Sequence, residues 1–198
     1  MAADYLVSSL QPLALDGPPP YTAEQFLGLC RSQLSAADAA AIEALLASVP
    51  GAAASAPAAG NVPGDVVPSG HRTLTRWRDL DAQVRNAIAA ERARLHGQDA
   101  ARWRRPAEGC ALFWTNRATA AFQEKDPARR ERLLDQVRWD AAGELTPPAA
   151  PLSAAAVFTY AIRLGIVLDR AARDTAAGND VFNRLTAATK IEFKERHT

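Results

Sequence analysis

The sequence predicts an all-α protein: a multi-helix bundle preceded by a short extended N-terminal segment. Three observations carry that reading. Apolar residues recur three and four positions apart over most of the chain, the spacing that lines one face of a helix. Helix-start signals stand at the head of several of these runs. Only one short run, Tyr5 to Leu10, reads as a candidate strand; an extended edge and a helix start are its other readings.

The elements follow in order. Four prolines punctuate the opening "DYLVSSLQPLALDGPPPYTAEQFLGLC", and Thr22-Ala23-Glu24-Gln25 then forms a capping box, in which each of Thr22 and Gln25 satisfies the other's main-chain N–H. A helix from Ala23 to Gln33 carries Phe26, Leu27, Leu29 and Cys30 on one stripe. Ser35 starts a second helix with Asp38 three residues on and Ile42, Leu45, Leu46 and Val49 as its buried edge. These helices and the opening make an N-terminal unit over 1–49. Residues 50–70, "PGAAASAPAAGNVPGDVVPSG", hold four prolines and four glycines; that composition cannot sustain a helix and predicts a loop or linker.

Residues 71–198 are predicted as the main helical bundle. Its longest helix runs from Thr73 to about Gln98, with Trp77, Leu80, Val84, Ile88 and Leu95 along one face and Arg78, Arg85 and Arg92 seven apart on another. "RWRRPAEGC" breaks it. A helix holding Leu112, Phe113, Ala118, Ala121 and Phe122 comes next. Asp126-Pro127 is a restart, with an N-cap carboxylate and a proline at the first helical position, where its missing N–H costs nothing. The helix to Asp140 buries Leu133, Leu134 and Val137. Ser153 caps the most apolar helix, with Val157, Tyr160, Ala161, Leu164 and Leu168 on one stripe and Phe158, Ile162 and Ile166 on a second; a helix apolar on two faces belongs at the centre of a bundle. The pairs Asp169 with Arg173 and Arg170 with Asp174 lie toward its end. Gly178 stops it, and a last helix from Asn179 or Asp180 carries Val181, Phe182, Leu185 and Phe193.

Composition narrows the function classes. Over 198 residues, 48% hydrophobic, 23 basic residues face 22 acidic ones for a net charge of +1. That is too little field for a dedicated nucleic-acid or membrane-surface binder. No stretch approaches the ~18 apolar residues of a membrane span, and no basic leader precedes an apolar core, so the expected location is cytoplasmic, with any membrane association made through a partner.

Motifs for chemistry are missing. His71, His96 and His197 are far apart, and Cys30 and Cys110 are isolated, without metal spacing; buried free thiols are the expectation for both. The sequence contains no phosphate loop, dinucleotide fingerprint or serine-nucleophile elbow. Asp79 with Asp81 and Asp135 with Asp140 are the carboxylate pairs an acid–base mechanism would need. Their spacing of two and five turns each pair apart on a helix, which favours a solvated face or ion pairs with nearby arginines. Arg102, Arg104 and Arg105 around Trp103 resemble a phosphate-and-base patch in miniature, although a charge cluster at the end of the long helix explains them more economically. No catalytic, cofactor or metal site is therefore expected. The polar groups Arg78, Asp79, Arg85, Asn86 and Arg92 of the long helix, with Arg138, Trp139 and Asp140 of "LLDQVRWD", are the candidate partner-binding residues.

Four blocks carry a resemblance: "YLVSSLQPLALDGPPPYTAEQFL", "RWRDLDAQVRNAIAAERARLHG", "DPARRERLLDQVRWD" and "VFTYAIRLGIVLDRAARDTAAGNDVF". In this order they resemble a bacterial family encoded among the subunits of V/A-type ATPases. More distantly the chain is similar to the helical cap of those ATPases, which sits on the membrane rotor ring and receives the central stalk; the likeness runs through Tyr5, the Asp79 to Arg92 segment with Asn86, and Tyr160 to Gly178. That cap has three helical lobes, of which this chain could supply one or two. The resemblance implies a non-enzymatic helical subunit, or an accessory or assembly factor, that touches central-stalk or rotor-ring subunits and sits at the inner membrane only through that complex. It also implies that Pro18-Pro19-Pro20 sets where the first helix joins the bundle. A stand-alone helical adaptor or regulatory interaction domain is the alternative.

Overall fold

The computed structural model describes residues 2–47 and 71–173. Seven α-helices and two 3-10 turns make up the described residues, with no strand among them. The helices are α1 (Ala2–Ser9), α2 (Ala23–Gln33), α3 (Ala36–Ala47), α4 (Arg72–Leu95), α5 (Leu112–Ala120), α6 (Pro127–Gly143) and α7 (Ala154–Ala172); the 3-10 turns cover Ala100–Trp103 and Ala121–Gln123. The 50–70 linker, Val49, Asp174, the Gly178 stop and the last predicted helix lie outside the described residues.

α7 is the axis of the bundle. Val157, Phe158, Ala161, Ile162, Leu164, Ile166 and Val167 are all buried along it, and it packs against α1, α3, α4 and α6. Two apolar stripes explain this, because each needs its own neighbour to cover it. Phe26 and Cys30 of α2, Ile42 and Leu46 of α3, and Leu74 and Val84 of α4 join Phe158 and Leu164 in one continuous core. Burying any one of these larger side chains contributes about 1.5–3 kcal/mol.

The start signals act as read. Thr22 accepts from the Gln25 N–H at 3.2 Å while the Gln25 side chain accepts from the Thr22 N–H at 2.9 Å. Ser35 accepts from the Asp38 N–H at 3.1 Å. Asp126 accepts from the Ala128 N–H at 2.9 Å, with Pro127 opening α6. Ser153 occupies the N-cap position of α7, but its hydroxyl makes no capping bond.

Several expectations change. The strand-like run at Tyr5 is helical through Ser9. Leu6 is buried while Ala3, Val7 and Leu10 pack on the core, which is helical spacing rather than alternation. The extended stretch begins after it, over 10–22, and is pinned by tyrosines: Tyr160 donates to the Gln11 carbonyl at 2.9 Å, and the Gln11 N–H donates to Tyr21 at 3.1 Å. Arg170 reaches Asp16 in this stretch at 2.6 Å; its expected partner Asp174 lies outside the described residues. The Asp169 to Arg173 pair forms as expected.

Leu133 is exposed, against expectation, and Leu112 and Phe113 of α5 are exposed as well. α5 buries Trp114 and Ala118 and continues into Ala121 and Phe122, so the two residues before Trp114 fall off the inward face. α6 buries Leu134, Val137 and Ala141, which rotates Leu133 outward. Cys110 is exposed too, whereas Cys30 is buried. α4 stops at Leu95, itself exposed, short of Gln98. Its stop is a Schellman turn: Gln98 N–H donates to Ala93 at 2.8 Å and Gly97 N–H to Arg94 at 3.3 Å. Gly97 sits at φ 62°, a conformation glycine adopts without strain.

Candidate functional site

A cleft of about 500 Å³ opens between α4, α6, the 3-10 turn at Ala100–Trp103 and the end of α7. Two helix faces make its walls. α4 contributes Arg85, Ile88, Ala89, Arg92, Ala93 and His96, and α6 contributes Glu131, Leu134, Asp135 and Arg138. Both sets follow the three-and-four spacing that puts side chains on one face. Gln98, Trp103, Arg105 and Arg173 complete the lining.

Ion pairs tie the walls together. Asp81 accepts from Arg85 Nε at 2.5 Å and from Arg138 Nε at 2.9 Å. Arg92 pairs with Glu131 at 3.0 Å. Joining 81 to 138 and 92 to 131 fixes α4 and α6 antiparallel. Asp135 is buried on α6 and receives Arg173 at 3.1 Å, and Arg173 also holds Asp169. Burial pushes the Asp81 carboxyl up, but Arg138 and Arg85 overrule it and hold Asp81 below the usual carboxylate range. Burial wins at Asp135 and raises it despite Arg173, Arg138 and Arg170.

The loop that carries Arg105 is clasped to α4 by two amides. Asn86 donates to the Arg105 carbonyl at 2.9 Å and accepts from its N–H at 2.8 Å. Gln83 donates to the Glu108 carbonyl at 2.7 Å and accepts from the Ala111 N–H at 2.6 Å. Gly109, between those last two anchors, takes φ 77°, which lets the chain turn back.

Of the residues singled out in the sequence, Arg85, Arg92 and Arg138 are brought together at this cleft. Arg78 and Asp79 pair with each other at 3.3 Å on the surface of α4. Asn86 is spent on the loop. Trp139 and Asp140 engage other neighbours: Arg163 lies 4.7 Å over the Trp139 ring and donates to its carbonyl, while Asp140 accepts from Arg117 at 2.9 Å and Gln136 at 2.7 Å. From the Arg102–Arg105 patch, Trp103 and Arg105 reach the cleft, and Arg102 stacks on Trp103 at 5.6 Å. Asp79, Asp81, Asp135 and Asp140 each pair with an arginine: Asp79 with Arg78, Asp81 with Arg138, Asp135 with Arg173 and Asp140 with Arg117.

Sequence reasoning missed Asp81 as a hub, along with Gln83, His96, Asp135 and Arg173 as members of this neighbourhood. A signal existed, since "RNAIAAERAR" and "ERLLDQVR" put charged residues at positions of a helical stripe that would otherwise be apolar.

Chemically the cleft is dominated by guanidinium groups, from Arg85, Arg92, Arg105, Arg138 and Arg173. Its lining includes no serine, threonine, cysteine, lysine or tyrosine. The buried Cys30 thiol, pushed up to about 12 by burial, stays protonated. Among the described residues no cluster of His, Cys, Asp and Glu could hold a metal, and no helix is long and apolar enough to cross a membrane. Comparison with protein-family models, curated proteins and solved structures returns no match to this chain.

Proposed function

We propose that the protein is a non-enzymatic helical subunit or accessory factor of a V/A-type ATPase, acting by presenting helix faces to central-stalk or rotor-ring subunits. The four sequence blocks supply the partner class. The structural observation that carries the binding role is the apolar start of α5: Leu112 and Phe113 are 64% and 61% exposed while Trp114 and Ala118 of the same helix are buried. Phe113 is held there, edge-on to Trp114 at 4.8 Å and with the Arg117 guanidinium 5.8 Å over its ring. A rigid aromatic and an adjacent leucine, offered to solvent, are the kind of side chains that anchor protein interfaces.

Affinity capture of the tagged chain from its native cells in mild detergent, followed by mass spectrometry, tests this. ATPase stalk and ring subunits are expected in fixed proportion, and Phe113→Asp should release them while leaving the fold intact. A purified ATPase that lacks the chain, together with unchanged ATPase assembly after its deletion, would overturn the proposal.

A further inference from the structure

Five arginines line the cleft, against two carboxylates, Glu131 and Asp135. Asp81 and Asp169 add two more negative charges to the network. The arginines are still left with unused donors. Asp81 takes only the Nε hydrogen bond of Arg85 and of Arg138, so the terminal amino groups of both have no hydrogen-bond partner among the described residues. The side chains of Arg85 and Arg138 are 43% and 23% exposed, so solvent or a ligand can reach them. Arg105 is held through its main chain by Asn86, and its guanidinium pairs with no carboxylate among the described residues. Each guanidinium offers five N–H donors in a planar fork that matches carboxylate or phosphate oxygens.

The remaining lining is apolar and flat. Ile88, Ala89 and Leu134 contribute aliphatic surface, and Trp103 is 45% exposed. Trp77 and Trp114 are buried, and Trp139 is covered by Arg163. The volume falls within the range of small-molecule sites.

We propose that this cleft binds an organic phosphate: a phosphate group held by the free amino groups of Arg85, Arg105 and Arg138, joined to a flat or apolar body resting on Trp103 and the aliphatic wall. Already bound to their own carboxylates at Nε, Arg85 and Arg138 are set in place before the ligand arrives, which lowers the entropy lost on binding. This site does not depend on the ATPase reading, since none of its residues belongs to the Leu112–Phe113 surface.

The test is titration of the full chain, followed by tryptophan emission and calorimetry, with three probes: adenosine monophosphate, inorganic phosphate and adenosine. The nucleotide should bind saturably and change the emission of Trp103; inorganic phosphate should bind more weakly, and adenosine not at all. Arg105→Ala keeps the main-chain clasp and should weaken nucleotide binding about tenfold or more, the loss of a charge-assisted contact. Arg78→Ala, which removes an exposed arginine away from the cleft, should leave it unchanged. No saturable binding of the nucleotide or of phosphate below millimolar concentration overturns the site, as does equal weakening by the two variants. Adenosine binding as tightly as the nucleotide overturns the phosphate assignment, and inorganic phosphate binding as tightly overturns the organic body.

Discussion

Asp81 and Asp135 sit on facing helices, both nearly sealed from solvent, yet their carboxyl groups are driven in opposite directions. Their side chains are 14% and 5% exposed. Both oxygens of Asp81 are hydrogen-bonded, each by a different arginine. Asp135 has one guanidinium, at 3.1 and 3.5 Å, which it shares with Asp169. Burial raises both; two hydrogen-bonded guanidinium groups reverse it at Asp81, whereas Asp135, with one hydrogen-bonded guanidinium shared with Asp169 and only the more distant fields of Arg138 and Arg170, stays raised. Direct hydrogen bonds from dedicated cations, more than the number of cations nearby, decide which buried acid supports the fold.

The largest test of that contrast is Arg138→Ala, because Arg138 acts on both acids. It should cost about 2–4 kcal/mol in urea denaturation, toward the lower end for removing one partner of a buried pair, since this pair retains some solvent. Carboxyl NMR should show both aspartates titrating higher in the variant.

Next comes Asp81→Asn, expected to lose about 1.5–3 kcal/mol at neutral pH. Asp81 is lowered in the fold, so its contribution is present above the unfolded carboxylate pKa and disappears as pH falls through the folded one. The gap between variant and wild type should therefore close in acid.

Asp135→Asn should go the other way. Asp135 is raised in the fold, so ionising it costs stability as pH climbs from the unfolded value through the folded one. Denaturation at several pH values should show the variant gaining on wild type over that window, ending within about 1 kcal/mol of it, because an isostere without the charge is often neutral. A gap that widens against the variant with rising pH would overturn the contrast. The smallest effect belongs to Arg78→Ala: its exposed pair with Asp79 should be worth less than about 0.5 kcal/mol.

The sequence was most legible where structure is local. Thr22 to Gln25, Ser35 to Asp38 and Asp126-Pro127 act within three residues of themselves, so their helices begin where expected. The two stripes of α7 are long enough to fix its central place. Short elements were read less well. In α5 one residue of phase separates exposed Phe113 from buried Trp114, and nine residues give too few repeats to settle it. α1 has only eight residues, and its Tyr, Val and Leu suit a strand locally; in the fold it packs as a helix against α7 and α2. The cleft was legible as arginines but not as a site. Arg138 and Asp81 are 57 residues apart, and Arg173 and Asp135 are 38 apart; no local spacing encodes such meetings.

The amide clasp on α4 has a consequence for how this protein can change. Gln83 and Asn86 grip only carbonyl and N–H groups of Arg105, Glu108 and Ala111, and every amino acid but proline supplies both. The side chains of this loop are thus released from the task of holding it down, and only Gly109 is bound by its backbone angle. Substitution at Arg105 can remodel the cleft with the scaffold left intact, which makes the loop an interchangeable cassette for selection, or for a designer, to vary.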